Sequence, residues 1–185
     1  MVEKRNIEEG NTVKEGDVIL TLSNQNLSAS VLESESQLAD RVNALRNAQI
    51  QMEQDRLNQQ KEQFATDLDI QRKKRQYQQK EKLYNEKLIA REEYLQAKED
   101  YELVERSREL IIERQKQDSL ARAVQIDHLK ENVENMNKNM ELIRQRVENL
   151  KVKSPINGEL VQLNVELGQS IGAGQKVGQI NDLSD

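Results

Sequence analysis

The sequence predicts an α+β protein in which a long antiparallel two-helix coiled-coil hairpin is inserted between the two halves of one small β domain. Three observations predict it. From Gln25 to Leu150 the chain contains no glycine, proline or cysteine. Within that stretch, Ile126, Leu129, Val133, Met136, Met140, Ile143, Val147 and Leu150 alternate spacings of three and four, which is the a/d seam of a coiled coil. Finally, the two ends are copies of each other. Shifting by 158 positions superposes Asn164, Glu166, Gly168 and Gly174 on Asn6, Glu8, Gly10 and Gly16.

The repeat decides between a rod and a hairpin. A single helix over this stretch would span ~190 Å at ~1.5 Å per residue and keep the two ends apart. Half-domains that each expose an apolar face need one another to bury it, so the helical stretch folds back. Either half alone is expected to be unfolded.

Composition is consistent with a molecule dominated by surface. Charged residues make up 33%, aromatic residues 3% and hydrophobic residues 35% of the 185 positions. The net charge of −5 is mild and the signs are interleaved, which argues against nucleic acid as a partner. The run Arg72 to Arg75 is read as a solvated helix face, because Asp67, Asp69 and Glu81 dilute it and no stacking aromatics are interleaved. With no cysteine there is neither a disulfide nor a thiolate metal site. No apolar run reaches the roughly 20 residues of a membrane span.

Residues 1–24 read as short strands and tight turns, with Gly10 and Gly16 at the turns and a run from Val18 to Leu22. The counterparts of Ser154 to Gly158 would precede or coincide with Met1, so this first half is expected to be truncated at its start. Residues 25–151 form the hairpin, with Asn24, Asn26 or Ser28 available as the first cap. The first arm has a weaker seam of Leu27, Val31, Leu38, Val42, Leu45, Ala48 and Met52. Between Glu53 and Lys82 the seam thins to Leu57, Phe64, Leu68, Ile70 and Tyr77, a filling too poor for two helices alone. Leu68 is therefore expected to be protected only on oligomerisation. The midpoint falls at residues 84–91, where the chain turns, and Glu92 and Glu93 suit the first turn of a second helix. Residues 152–185 hold the second half. Pro155 ends the helical stretch, Asn157-Gly158 marks a tight turn, and Val161, Leu163 and Val165 alternate as a half-buried strand does.

Sites of chemistry are lacking. His128, the one histidine, falls between seam positions and faces solvent, and Met52, Met136 and Met140 read as core rather than metal ligands. No enzyme activity, metal or cofactor is expected.

The residues that do carry a family signal are Glu9 to Leu20 and Lys153 to Gly158, followed by Val165 to Gln169. They resemble the halves of a biotinyl/lipoyl-type β-sandwich. Split by a helical hairpin, such halves resemble the HlyD-type membrane fusion proteins, the periplasmic adaptors of tripartite efflux and secretion pumps. The segment Gly178 to Ser184 is similar to the one that leads these adaptors into a further β-barrel domain. The resemblance implies a homo-oligomer, a hexameric ring, held in the periplasm by an inner-membrane anchor outside this sequence. It implies an inner-membrane transporter below, an ABC transporter in preference to a proton-driven one, and a TolC-like outer-membrane duct above. Drugs, small molecules or proteins would be the cargo. At the hairpin tip the family places an arginine, a leucine and a serine, and this chain holds Gln79, Leu83 and Ala90 there. Partner binding is accordingly expected at Gln79, Leu83, Leu88, Ile89, Ala90 and Arg91. Two other classes fit less well. A carrier domain would need a modifiable lysine at a turn that the hairpin replaces, and a coiled-coil scaffold without a transport role leaves the repeated ends unexplained.

Overall fold

The structure, a computed structural model, describes residues 1–182. Leu183 and Ser184, which the resemblance assigns to an onward linker, lie outside them. The elements run β1 (Val2–Arg5), β2 (Thr12–Val13), β3 (Val18–Leu22), α1 (Gln25–Asn85), α2 (Arg91–Glu148), β4 (Lys151–Lys153), β5 (Gly158–Leu163) and β6 (Gly178–Asp182). The fold is the expected one, a two-helix hairpin inserted between two halves of a β-sandwich. The chain divides into two compact units. One comprises Met1–Asp40 with Val133–Asp185, the other Arg41–Asn132.

In the first unit, neither half of the sandwich forms a sheet of its own. One sheet has the order β1-β3-β4 and the other β2-β5-β6, so each takes strands from both ends of the chain. The core between them is Val2, Val13, Ile19, Leu20, Leu160, Leu163 and Val165, again drawn from both halves. Burying such side chains fully is worth roughly 1.5–3 kcal/mol each, and no half supplies enough of them by itself.

The internal repeat is reproduced hydrogen bond by hydrogen bond. Gly10 N–H donates to the Leu160 carbonyl and Gly168 N–H to that of Val2, both near 2.8–2.9 Å. Each is the image of the other under the same 158-residue shift, with donor and acceptor halves exchanged. Leu160 N–H to the Asn11 carbonyl and Val2 N–H to that of Gln169 form a second such pair. The turn glycines match too, Gly10 and Gly168 having φ of 84° and 81°. That left-handed backbone strains any residue with a Cβ. Gly158 plays a different part from the tight-turn role its Asn-Gly context suggests. It is the first residue of β5, and a Cβ there would stand 2.1 Å from the Asn181 carbonyl oxygen. Close approach of β6 is what excludes a side chain.

α1 starts where Asn24 caps it, its Oδ1 accepting the Leu27 N–H at 3.1 Å, a contact typically worth ~1 kcal/mol. At the root of the helices, Met140 and Ile143 are buried while Leu27, Val31, Leu38, Val133, Met136 and Leu150 are half-buried. Val147, although in phase with them, is exposed. It rims an open apolar groove with Leu27, Val31, Leu32 and Met140.

The second unit has a different interior. Ile126 is buried and Leu129 half-buried, but its other buried side chain is Gln115, 6% exposed. Gln115 accepts a hydrogen bond from the Gln63 amide and donates to the Gln59 carbonyl at 3.3 Å. Around it, ion pairs join the helices: Asp55–Arg122 at 3.0 Å, Glu62–Arg114 at 3.0 Å, Asp67–Arg108 at 2.6 Å, Lys73–Asp100 at 2.9 Å and Lys80–Glu93 at 2.6 Å. α1 thus contributes acids first and bases later, and α2 does the same in its own direction. Antiparallel packing matches the two blocks, whereas sliding a helix would oppose like charges. Of the five residues expected as the thinned remainder of the seam, Ile70 and Tyr77 are half-buried while Leu57, Phe64 and Leu68 are exposed on the outside instead, and Met52 is exposed as well. Asp55, Gln59, Glu62 and Gln63 are half-buried in their place.

Candidate functional site

The turn between the helices is built by a specific helix stop. Leu88 N–H donates to the Leu83 carbonyl at 2.8 Å and Lys87 N–H to the Tyr84 carbonyl at 2.9 Å, the two bonds of a Schellman motif. Its left-handed position is occupied by Lys87, at φ 62°, where glycine is the usual residue. A non-glycine residue there carries backbone strain of about 1 kcal/mol or more. Nothing in the sequence flagged Lys87, since lysine gives no signal for this conformation. The motif leaves Leu88 outside, 65% exposed, while Leu83 and Ile89 are half-buried. Ala90 is exposed immediately before α2 and offers no side-chain cap. Arg91, the first residue of α2, and Gln79, within α1, are exposed. Glu92 and Glu93 occupy the first turn of α2, where a carboxylate is favoured by the helix dipole.

Behind this turn lies a ladder that uses all four tyrosines of the chain. Tyr84 stacks on Tyr94 with ring centroids 5.0 Å apart, Tyr94 meets Tyr77 at 6.0 Å with the rings tilted by 34°, and Tyr77 stacks on Tyr101 at 5.8 Å. Such pairs add ~0.5–1.5 kcal/mol each beyond their buried area. The Tyr77 hydroxyl donates to Glu81 Oε1 at 3.0 Å, and Tyr101 donates to Glu105. Hydrogen bonding to Tyr94 and to Glu81 pushes the Tyr77 phenol well above its ordinary pKa, and the bond to Glu105 pushes Tyr101 upward. The ladder joins the two helix ends that flank the turn and so sets how Leu88 and Ile89 are presented. The sequence shows these tyrosines but not their stacking, which depends on the register of the two helices.

The described residues contain no group of three or more side chains able to hold a metal ion, and no helix among them is long and apolar enough to cross a membrane. His128 is exposed. What the turn offers is an exposed apolar Leu88 beside Lys82, Lys87 and Arg91.

Residues 1–182 match the family described as RND MFP, barrel-sandwich hybrid domain. The chain belongs to this family of membrane fusion proteins. Its members are adaptors of efflux and secretion systems rather than enzymes. Among solved structures, MacA from Actinobacillus actinomycetemcomitans is 18% identical with a TM-score of 0.50, over 97% of this chain and 44% of that one. The soluble domain of LipC, a membrane fusion protein of a type I secretion system, is 16% identical with a TM-score of 0.46, over 98% of this chain and 95% of that one. The periplasmic adaptor protein EmrA is 14% identical with a TM-score of 0.38, over 97% of this chain and 68% of that one. The chain therefore spans less than half the length of the MacA structure. No curated protein sequence matches it.

Proposed function

We propose that this membrane fusion protein segment works in the periplasm as the adaptor between an inner-membrane pump and a TolC-like outer-membrane duct. The pump is of the ABC or the RND type, and the complete protein is held at the inner membrane by a segment outside this sequence. It acts as a homo-oligomer, a hexameric ring in this reading, and the exported cargo is a drug, a small molecule or a protein. The observation that carries the reading is the hairpin turn. There, a strained Lys87 stops α1 so that Leu88 stands 65% exposed beside Ile89, where a lone hairpin gains nothing from it. Copies arranged in a ring multiply this patch into an apolar band suited to an end-on, reversible contact with a second protein. Of the residues expected to bind, Leu88, Ile89 and Arg91 meet the partner directly, Leu83 supports Leu88 from the last turn of α1, and Gln79 and Ala90 flank the contact.

Leu88→Asp and Ile89→Asp in the complete protein test this. Export should fall at least tenfold while helicity and self-association stay at parental levels. Normal export by both variants would place the contact with the outer partner elsewhere.

A further inference from the structure

Lys87 is a lysine in a place where the backbone favours glycine. Among the described residues, the other left-handed positions, Gly10, Gly16, Gly168 and Gly174, all hold glycine, whereas Lys87 stands at φ 62° with a Cβ. It lies just past the end of α1, so a glycine there would relieve the strain without entering a helix. Strain of this kind persists where something else requires the residue.

The turn itself does not require the side chain. Its bonds are made by the backbone, Lys87 N–H donating to the Tyr84 carbonyl at 2.9 Å and Leu88 N–H to that of Leu83 at 2.8 Å. The Lys87 ammonium has neither a hydrogen bond nor an ion pair among the described residues, although Glu86 directly precedes it. A cation is favoured by the dipole at a helix C-terminus, but Lys82 already occupies the last turn of α1. What remains for the Lys87 side chain is a contact outside this chain.

The surroundings of Lys87 fix the sign of that contact. Residues 82–91 hold three bases, Lys82, Lys87 and Arg91, against one acid, Glu86, a net charge of +2. None of the three bases has an ion pair among the described residues. The acids next along the helices are engaged. Glu81 accepts the Tyr77 hydroxyl at 3.0 Å, Glu93 pairs with Lys80 at 2.6 Å, and Glu92 lies in the first turn of α2, where the dipole favours it. Exposed Leu88 is thus flanked by unpaired cations, a surface complementary to carboxylates.

We propose that Lys87 determines partner specificity at the hairpin turn, its ammonium donating to a carboxylate on the periplasmic end of the outer-membrane duct, beside the seat of Leu88. This deepens the docking reading above and rests on it. The strained backbone persists because glycine, which would relieve it, carries no donor. A single charged contact is weak when exposed, but repeated copies of the chain multiply it.

Substitutions at this position in the complete protein separate side chain from backbone, with binding to the purified TolC-like duct of the same organism measured beside the thermal midpoint. Lys87→Gly removes both the strain and the ammonium, Lys87→Gln keeps the strain and removes only the charge, and Lys87→Arg keeps the charge. Lys87→Gly and Lys87→Gln should weaken binding about tenfold or more, and Lys87→Arg should bind within about threefold of the parent. The midpoint of Lys87→Gly should equal or exceed the parental one. Parental binding should weaken as ionic strength rises from about 0.1 to 1 M, and that of Lys87→Gln should change less. Parental affinity in Lys87→Gly or Lys87→Gln, salt-independent binding of the parent, or a Lys87→Gly midpoint well below the parental one overturns the assignment. Tip docking still stands in those cases if Leu88→Asp abolishes binding. Parental binding by Leu88→Asp, or a parent that does not bind the duct, overturns both.

Discussion

The root of the hairpin and its middle share a heptad period and a helix pair but solve the packing problem in opposite ways. At the root, Met140 is 2% exposed and Ile143 7%, and Leu27, Val31 and Leu32 of α1 line a groove with Met140. In the middle, the best-buried residue between Leu57 and Leu120 is a glutamine, and Leu57, Phe64, Leu68, Leu103, Leu110 and Leu120 are exposed. The difference separates two functions of a coiled coil. An apolar seam supplies stability by removing surface from water, at about 25 cal/mol per Å². A polar ladder supplies register. Exposed ion pairs contribute only ~0.2–1 kcal/mol each, but a shifted pairing opposes like charges and leaves amides unpaired. The middle thus gains alignment at the expense of cohesion.

The largest expected effect that would break this comparison is Ile143→Asp at the root. Burying an unpaired carboxylate there should cost several kcal/mol, read as a fall in the thermal or urea midpoint. A parental midpoint would show that the root is not held by its seam. The opposite substitution in the middle, Gln63→Leu with Gln115→Leu, should be neutral or stabilising by about 1–3 kcal/mol while loosening the register, since buried polar groups replaced together by apolar ones of similar volume leave nothing unpaired. Strong destabilisation of the double variant would mean that the amides supply cohesion after all.

Salt sharpens the same contrast at a smaller scale. Raising ionic strength from 0.1 to 1 M shortens the screening length from about 10 to 3 Å. Amide exchange should then quicken across residues 55–80 and 93–122 and stay unchanged in the seam from Val133 to Leu150.

The smallest effects are those of pH. Hydrogen bonds from Arg56, from Lys138 and from Lys153 with Lys151 hold the carboxyls of Glu53, Glu134 and Glu148 below their ordinary range. Their stabilisation is present above an ordinary glutamate pKa of about 4.3 and is lost as pH falls below it, a slight loss because all three are exposed. Tyr77 has the opposite sign. Its phenol is raised, so its contribution is present below about pH 10 and is lost as the pH climbs through the folded-state value. Near-ultraviolet circular dichroism from the tyrosine ladder should therefore still hold the Tyr77 part of its signal at about pH 10 and lose it only at higher pH, and in Tyr77→Phe that last part of the alkaline change should be missing while the other three tyrosines still titrate.

The sequence by itself determined the order of parts. An unbroken run free of glycine and proline, a seam from Ile126 to Leu150 and a repeat at the two ends sufficed for two helices returning to one split sandwich, because period and chain closure are local and topological constraints. The structure repeats the hydrogen bonds at the same 158-residue shift, down to the matched turns at Gly10 and Gly168. Only the tertiary structure decided which residues of the middle face inward. Both stripes there are weakly amphipathic, so hydrophobicity does not choose between them. In the folded pair Gln63 and Gln115 fall inside and Phe64 and Leu110 outside. The tyrosine ladder depends on the same register, which is why it could be counted in the sequence but not assembled from it.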